Sequence, residues 1–374
     1  MVMKALAITS KGIEDITALE IKELIKVNSS VKESCVVFEP KKILDLCTLC
    51  YKGQSVSRVL FLLESFKFKD KKDLLKKFGS KKIDYGKWLD KSSKFMVECN
   101  RIGSHKFSSQ DVEKEIGGLM PLDNKVSLDK PDVVFYAYIF ENNFYFGVDF
   151  AGFDLSKRQY KVFNHPNDIK GTIAYALVRL SGFNKDVLLD PFCKTGVIPI
   201  EAALFASEFA VNYFNKEKFG FLKLKPFLKT DFKKLFEKKV RKSGRILGYE
   251  GVPYHIVSAK KNAKIAGVDV EFSNAGVEWI DTHFKKGEVD RIVCYPPVIS
   301  DKWNKKEILK LYQELFYQAK YCLAEKGKIV VVSKDVDLLK EKAERYKFKV
   351  ISERNIWLGK LEIGVAVFGR ERLI

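Results

Sequence analysis

The chain has 374 residues, 46% of them hydrophobic, and a formal net charge of +19 from 67 Lys and Arg against 48 Asp and Glu. The length predicts two domains, or two with a small third, and the hydrophobic content is sufficient to build buried cores. The positive charge indicates a polyanionic partner, with nucleic acid preferred to an anionic membrane surface, although a lysine-rich composition alone also follows from genome bias or a hot habitat.

The composition argues against a membrane or secreted protein. No apolar run approaches the ~20 residues needed to span a bilayer, and charges interrupt the N-terminus too early for a signal peptide. The seven cysteines are scattered and odd in number, which favours a reducing, cytoplasmic setting. Cys47 and Cys50 form a CxxC without a second pair or a histidine cluster, so we expect no metal site there and interpret them as half-buried residues one helical turn apart.

Residues 1–60 have the pattern of a small α+β unit. Apolar runs predict strands at 4–9, 34–38 and 59–64, and apolar residues at helical spacing predict helices at 12–26 and 43–50. A lysine-rich stretch follows at 66–88. Its interleaved Phe, Tyr and Trp side chains are as consistent with a nucleic-acid surface as with a solvated helix face.

Residues 61–155 continue with strands and one further helix. Apolar runs predict strands at 95–100, 133–140 and 143–150, the last two joined by a Glu141-Asn142 hairpin turn. Small polar residues begin a helix within 104–117, and paired glycines end it. The pattern becomes polar around 154–164, where we expect the junction between the two halves of the chain.

Helices and strands alternate after residue 164, which predicts a doubly wound α/β domain. The continuous apolar run at 186–190 is typical of a buried parallel strand. Further strands are expected at 245–250, 290–294, 328–333 and 363–368, and helices at 169–180, 198–210, 255–266 and 307–324. A Lys- and Phe-rich stretch at 214–245 interrupts the alternation, and it is either an RNA-contacting helical arm or a solvated excursion.

Acidic residues end two strands of the predicted sheet. Ligands of such sheets bind at the carboxyl ends of the strands, near the point where the strand order reverses. Asp190 precedes a short turn and a helix, whose free N–H groups and dipole suit a carboxylate or phosphate. Glu250 ends a second strand, where an acidic residue is the expected partner of the ribose hydroxyls of an adenosine cofactor.

The stretch KRQYKVFNHPNDIKGTIAYALVRLSGFNKDVLLDPFCKTGVIPIEAA at 157–203 resembles the THUMP-domain-containing class I tRNA methyltransferases. Members of this family methylate the exocyclic N2 of guanine with S-adenosylmethionine. The resemblance continues through Glu250, the AKKNAKIAGV helix and a Tyr-Pro-Pro strand end, and it implies a Rossmann-like domain over 156–374. The N-terminal half is more loosely similar to a ferredoxin-like piece over 1–60 and a THUMP RNA-binding domain over 61–155, through the segment SVSRVLFLL.

The resemblance implies roles for individual residues. Those expected at the cofactor are His165, Pro166, Asp190, Phe192, Cys193, Lys194, Thr195, Gly196, Glu250 and Asn274. Those expected where the base reacts are Tyr295, Pro296, Pro297 and Val298, and those expected to bind RNA are Arg58, Lys106 and Arg158. A structural role stays open for His165, as a helix-start residue with a local hydrogen bond, and for Asp190, as a cap of the turn.

Lys194 departs from the family pattern, which has glycine at that position. Glycine allows a tight bend and a close approach of the backbone to the cofactor, and a long charged side chain blocks that approach. The alternative is that Lys194 pairs with the carboxylate of the cofactor's methionine. Val197 also replaces a threonine, and Asn274 lies near the place where the family has an aspartate for the adenine amino group.

Tyr295 and Val298 are the second departure, because the family has Asp or Asn before the two prolines and an aromatic residue after them. The Asp or Asn oxygen and the first proline carbonyl accept hydrogen bonds from the guanine amine, which orients its attack on the methyl group. The aromatic residue stacks on the flipped base. Tyrosine, with an unperturbed pKa of ~10, is a weaker acceptor at neutral pH, and valine has no π-face.

Two principal hypotheses follow. The first is an S-adenosylmethionine-dependent methyltransferase homologue that grips tRNA through its phosphates and acts on guanine N2. The alternative is a catalytically inactive homologue that binds tRNA or serves as a partner subunit of an active methyltransferase. A third hypothesis, methylation of DNA or of a protein Gln or Asn, shares the Asn-Pro-Pro class of motif but not the THUMP-like half.

Overall fold

The computed structural model of the chain describes residues 3–299, 304–359 and 361–371. It forms two compact units, each built on a seven-stranded sheet. The first unit comprises Met1–Thr9, Thr17–Leu155 and Asn212–Glu237, and the second comprises Ser10–Ile16, Ser156–Val211 and Lys238–Ile374. Within the described ranges, no helix has the length and apolar character needed to cross a membrane.

The sheet of the first unit is mostly antiparallel. Its strands are β1 (Ala5–Thr9), β2 (Ser29–Lys32), β3 (Cys35–Phe38), β4 (Val56–Lys67), β5 (Phe95–Ile102), β6 (Val133–Phe140) and β7 (Asn143–Asp149). The order is β2-β3-β1-β4-β7-β6-β5, and only β5 and β6 pair in parallel. The helices of this half are α1 (Glu14–Ile25), α2 (Leu44–Lys52), α3 (Lys71–Gly79) and α4 (Ser109–Leu119). The strand β4 runs through residue 60, so the ferredoxin-like piece expected over 1–60 and the THUMP domain expected over 61–155 share one sheet. The boundary between these two pieces stays a prediction.

The second unit has a mostly parallel sheet with helices, as the alternating pattern predicts. Its strands are β8 (Leu188–Asp190), β9 (Ile246–Tyr249), β10 (Glu271–Ser273), β11 (Val289–Cys294), β12 (Leu323–Ser333), β13 (Phe348–Leu358) and β14 (Leu361–Arg370). Its helices are α5 (Gly171–Leu180), α6 (Val197–Ser207), α7 (Pro253–Ala266), α8 (Ile280–His283), α9 (Lys305–Cys322) and α10 (Val336–Arg345). The order is β10-β9-β8-β11-β12-β14-β13, with β14 antiparallel to both of its neighbours.

The central strands are buried on both faces. Leu188 and Val293 pack into one core cluster, whereas Leu189 and Ile292 pack into a second. Successive side chains of a strand point to opposite faces, so continuous apolar runs are what these positions require. The strand order reverses between β8 and β11, and the residues that follow these two strands therefore meet at the carboxyl edge of the sheet.

The sequence patterns miss two edge strands. β2 is a short, largely exposed SSVK segment, and β13 is mostly exposed and pairs only with β14. Edge strands of this kind carry charged side chains and lack a clear apolar alternation, which is why hydrophobic periodicity did not identify them.

The Lys- and Phe-rich interruption is not a helical arm. It contains three short 3-10 helices, Tyr213–Lys218, Gly220–Lys223 and Lys225–Phe227. Most of it, Asn212–Glu237, belongs to the first compact unit, although it lies in the chain between α6 and β9 of the second.

Candidate active site

The turn after β8 depends on unusual backbone conformations. Asp190 accepts a hydrogen bond from the Phe192 N–H at 3.0 Å, which closes the turn. Gly196 has a φ of +87°, and a Cβ added there would lie 2.9 Å from a ring carbon of Phe272. Lys194 also has a positive φ, 48°, in the left-handed region that disfavours residues with a side chain. The tight bend expected of a glycine is therefore present, but a lysine occupies it.

The Lys194 side chain turns inward toward the end of β11. Its Nζ donates a hydrogen bond to the Tyr295 carbonyl oxygen at 2.8 Å and lies 4.0 Å from the centroid of the Tyr295 ring. The gap left among Asp190, Phe192, Lys194 and Tyr295 measures about 10 Å³. That is at most the space of one water molecule. Burial lowers the pKa of Lys194, while Asp190, Asp168 and Glu250 act in the opposite direction.

Glu250 lies beside this turn at the end of β9. Its Oε2 accepts a hydrogen bond from the Lys194 N–H at 3.2 Å, and its Oε1 accepts one from the Val252 N–H at 3.1 Å. Asn274 donates to the Glu250 carbonyl oxygen at 2.8 Å. These contacts fix the direction of the Glu250 carboxylate with main-chain donors. The strand ends of β8, β9 and β10 are thereby joined into one site.

A hollow of about 440 Å³ adjoins Glu250. Its walls come from the segments after β9 and β10 and are formed by Gly251, Asn274, Ala275, Gly276, Glu278, Trp279 and His283. The Trp279 side chain is 55% exposed, so its ring is available to a planar ligand. Hydrogen-bonding groups beside an aromatic face are the composition expected of a nucleoside site.

The upstream segment reaches the same site through His165. The His165 ring packs edge-to-face on His255 with centroids 4.8 Å apart, and His255 Nδ1 lies 3.6 Å from Glu250 Oε1. Burial and the neighbouring His255 lower the pKa of His165. His165 Nδ1 also accepts a hydrogen bond from the Asn167 N–H at 3.1 Å, so the expected local hydrogen bond is present, but α5 begins at Gly171 and His165 is not a helix-start residue. Pro166 is exposed.

Two residues that sequence reasoning missed hold these segments together. Asp168 accepts hydrogen bonds from Thr195 Oγ1 at 2.5 Å and from the His165 N–H at 2.9 Å. Asn262, in α7, donates to the carbonyl oxygens of Thr195 at 3.1 Å and Phe163 at 2.9 Å. The sequence offered two signals for them. One is an Asp three residues after His165, and the other is an Asn among the small and basic residues of the predicted helix at 255–266.

Cys193 is buried beneath the turn rather than presented to a ligand. Burial, followed by the nearby Asp190 and Glu250 carboxylates, raises the pKa of its thiol. A Cβ added at Gly248 would lie 2.9 Å from the Cys193 sulfur, so the sulfur fills the space between β9 and the turn. Cys193 therefore shapes the turn as a neutral side chain.

The Tyr-Pro-Pro-Val segment after β11 offers a main-chain acceptor. Burial raises the pKa of Tyr295, so its phenol is neutral at physiological pH. The Tyr312 hydroxyl donates to the Pro297 carbonyl oxygen at 3.1 Å and supports the segment from α9. Within the described part of the chain, nothing donates a hydrogen bond to the Pro296 carbonyl oxygen. Val298 is half-buried, and Ser300 lies outside the described residues.

Arg158 is a structural residue in this fold, which corrects the expectation that it binds RNA. Its Nε and Nη2 donate to Glu201 at 2.7 and 3.1 Å, and the Tyr160 hydroxyl donates to the same carboxylate at 2.7 Å. The Arg158 and Glu201 side chains are 1% and 0% exposed. A Cβ at Gly171 would lie 2.6 Å from Arg158 Nε and 2.6 Å from Glu201 Oε1. The cluster ties the segment that carries His165 to α6.

Arg58 is corrected in the same way. Its Nη1 and Nη2 contact Asp149 at 2.5 Å and Glu98 at 2.9 Å, and its guanidinium lies 4.9 Å from the centroid of the Tyr136 ring. The side chain is 11% exposed, so it is committed to the first sheet. Lys106 alone of the three expected RNA contacts is exposed. We therefore keep only Lys106 as a predicted RNA contact.

Asp190 should make the stability of the second unit depend on pH. Burial raises its pKa to about 8 from an ordinary 3.8, against the Phe192 N–H and Lys194, which lower it. Between these values the unfolded chain releases a proton that the folded chain keeps. The free energy of unfolding therefore falls as pH rises from 4 to 8, by at most about 1.4 kcal/mol per pH unit from this group.

Asp190→Asn should remove that contribution, so its denaturation profile should be flatter than wild type between pH 5 and 8. The measurement is denaturant unfolding of both proteins at each pH. Parallel profiles for the two proteins would contradict the assignment.

Comparison with known proteins agrees with this arrangement. The RMKL-like methyltransferase domain model matches residues 158–363, and the THUMP domain model matches 70–149. The tRNA (guanine(6)-N2)-methyltransferase of Methanocaldococcus jannaschii is 31% identical over 75% of this chain and 76% of its own length. The enzyme of the same name from Archaeoglobus fulgidus is 27% identical over 98% of this chain and 92% of its own length.

Solved structures show the same fold over the whole chain. SMU.472, whose crystal structure is complexed with SAH, superposes with a TM-score of 0.81 at 18% identity, covering 100% of this chain and 99% of its own. At that identity the likeness concerns the fold alone. The family assignment rests instead on the methyltransferase domain match, which spans more than half of the chain, and on the 31% identity to the Methanocaldococcus enzyme. The chain belongs to the family of RMKL-like methyltransferases that carry a THUMP domain.

Proposed function

We propose that the protein transfers a methyl group from S-adenosylmethionine to the N2 atom of a guanine in tRNA, in the cytoplasm. The observation that carries this proposal is the site at the reversal point of the second sheet. There the turn after β8, the Glu250 carboxylate and the Pro-Pro segment after β11 meet. The relatives from two archaea are named for guanine N2 methylation of tRNA, and a THUMP domain precedes the site.

The adenosine end of the cofactor fits the residues present. Glu250 offers a carboxylate to the ribose hydroxyls, with its orientation fixed by two main-chain N–H groups. The adjoining hollow of about 440 Å³ provides the Trp279 ring and the Asn274 side chain for the base. The related fold of SMU.472 holds SAH, the demethylated form of the same cofactor.

The methionine end fits only after Lys194 moves. The gap of about 10 Å³ beside Asp190 is too small for a methionine side chain, and the Lys194 ammonium would repel the positively charged sulfonium of the cofactor. Lysine side chains are flexible, and this one is held inward by its hydrogen bond to the Tyr295 carbonyl oxygen and by the contact of its ammonium with the Tyr295 ring. We infer that cofactor binding displaces the Lys194 side chain from Tyr295.

The guanine N2 amine would donate its hydrogen bond to a main-chain carbonyl oxygen rather than to a side chain. When bound, S-adenosylmethionine would supply an electrophilic methyl group. The new N–C bond would form as the S–C bond breaks and leaves S-adenosylhomocysteine, and one N2 proton would leave to water. We assign the hydrogen bond from that amine to the carbonyl oxygen of Pro296, a buried residue that the substrate must reach, and Tyr312 holds the adjoining Pro297 in place. The neutral Tyr295 phenol cannot replace the missing carboxylate, so we expect slow turnover relative to family members with Asp or Asn.

The test of this proposal is methyl transfer by the purified protein. Labelled S-adenosylmethionine and unmodified tRNA should give labelled tRNA. Glu250→Ala should lose the label and weaken cofactor binding by about 10- to 100-fold, the value of a hydrogen bond to a charged group. Unchanged cofactor affinity in Glu250→Ala, measured by calorimetry, would contradict the assigned adenosine site.

A second candidate is a catalytically inactive tRNA-binding protein, alone or as a partner subunit. The observation that favours it is that the Lys194 side chain fills the place where the methionine end of the cofactor would lie, together with Tyr295 and Val298 at the base site. A Lys194→Gly, Tyr295→Asp double variant separates the two candidates. Product from the wild type supports the enzyme, whereas product from the variant alone identifies these two positions as the place where activity was lost.

A further inference from the structure

We infer that the segment 212–237, here called the lysine platform, is an RNA-backbone contact surface added to the THUMP-containing unit. This inference rests on the proposed binding of tRNA. The platform lies in the sequence between α6 and β9, yet it packs within the first compact unit. It contains seven lysines and three acidic residues.

Aromatic side chains anchor the platform to this unit. Phe219 and Phe221 stack with ring centroids 4.8 Å apart, and both are fully buried. Phe236 packs against Tyr51 at 5.1 Å, and Phe227 against Phe150 at 5.8 Å. These contacts give the segment a core of its own, so it is not a loosely solvated loop.

The platform backbone is also fixed to the first sheet. The Phe221 N–H donates to the Phe150 carbonyl oxygen at 2.9 Å, and the Gly220 N–H donates to that of Ala151 at 2.9 Å. A Cβ at Gly220 would lie 3.1 Å from the Gly152 Cα, so the two backbone segments approach each other closely at this crossing. A segment held this tightly presents its surface side chains in a defined arrangement.

Two lysines of the platform bind directly to the THUMP-matching region. Lys225 Nζ donates to the Gly86 carbonyl oxygen at 2.9 Å and lies 3.4 Å from Asp90 Oδ1. Lys223 Nζ donates to the Pro131 carbonyl oxygen at 3.2 Å. The region matched by the THUMP model, 70–149, contains all three partners. The platform is therefore structurally continuous with that RNA-binding domain.

Four other lysines carry the proposed contact. Lys218, Lys229, Lys233 and Lys234 are exposed, and within the described part of the chain their ammonium groups form no ion pair within 4.0 Å, although the Lys233 main-chain N–H donates to Asp231 Oδ1 at 2.9 Å. Exposed ammonium groups that form no ion pair favour phosphate contacts, because each contact releases condensed counterions. Their position on the THUMP-containing unit selects RNA over an anionic membrane or an acidic protein.

The test replaces these four lysines with glutamine in the full-length protein and measures tRNA binding by fluorescence anisotropy across a salt series. Each lost phosphate contact should lower the slope of log K against log salt by about 0.7–0.9, so loss of most contacts should lower it by about 2–3. We expect tRNA affinity at moderate salt to fall by about tenfold or more.

A matched control replaces Lys26, Lys32, Lys41 and Lys42. These exposed residues lie before or in the edge strand β2 and after β3 of the same sheet. An equal fall in tRNA affinity in both variants would show an effect of net charge alone and would overturn the inference. Unchanged tRNA affinity in the platform variant would overturn it as well. Both outcomes require that the wild type binds tRNA. If the wild type does not bind, the proposed function itself fails.

Discussion

Replacing Arg158 with alanine should lower the free energy of unfolding of the second unit by about 3–5 kcal/mol, the usual cost of removing one partner of a buried ion pair. The expectation follows from the 1% and 0% exposure of the Arg158 and Glu201 side chains. The variant leaves the Glu201 carboxylate buried without the two hydrogen bonds that Arg158 donates, while the Tyr160 hydroxyl still donates to it. Chemical denaturation monitored by circular dichroism is the measurement.

Two controls make this result interpretable. The Arg241–Glu208 pair lies in the same unit at a similar distance, 2.7 Å, but its side chains are 67% and 48% exposed. Arg241→Ala should therefore cost less than about 1 kcal/mol. An Arg158→Met, Glu201→Leu double variant should be more stable than Arg158→Ala, because no charge is left buried alone.

The same variants distinguish a structural from an RNA-binding Arg158. Under conditions where the variant is folded, the slope of tRNA affinity against salt should equal that of the wild type, since no phosphate contact has been lost. A normal unfolding profile together with a reduced salt slope would contradict the structural account and restore Arg158 as an RNA contact.

Lys194→Gly should bind S-adenosylmethionine about tenfold more tightly than the wild type. The wild type must break the 2.8 Å hydrogen bond from Lys194 to Tyr295 before the methionine end is accessible, and such charged hydrogen bonds contribute about 1.5–3 kcal/mol. Glycine also removes the cost of a left-handed residue, about 1–2 kcal/mol, which should stabilise the turn with and without cofactor and leave the affinity unchanged. Calorimetric titration with the cofactor measures the affinity.

Lys194→Met separates charge from bulk. It keeps a long side chain but loses the ammonium, so its affinity should lie between those of the wild type and Lys194→Gly. Weaker binding in both variants would mean that Lys194 pairs with the cofactor's carboxylate. That result would contradict the view that the lysine obstructs the site.

Much of the second unit could be predicted from sequence because its signals are local. Continuous apolar runs identify β8 and β11, since strands buried on both faces need them. The departure at Lys194 is visible only through the resemblance to the family, which has glycine there, whereas Asp190 and Glu250 stand out as acids at strand ends. These features depend only on neighbours within a few residues.

Features that depend on distant partners could not be predicted. Arg58 and Arg158 were expected to bind RNA because the resemblance to the tRNA methyltransferase family implied that role. Their acidic partners, Asp149 and Glu201, lie 91 and 43 residues further along the chain. Asn262 likewise bonds to Phe163, 99 residues away. Such pairs exist only once the fold brings them together.

Nucleoside mass spectrometry of tRNA after incubation with the wild-type protein and S-adenosylmethionine tests the central claim most directly. The account predicts N2-methylguanosine in the digest, and its absence when Glu250→Ala replaces the wild type. A methyl group on a different nucleoside would contradict the assigned acceptor atom. No methylated nucleoside, with tRNA and cofactor both bound, would contradict the proposed activity.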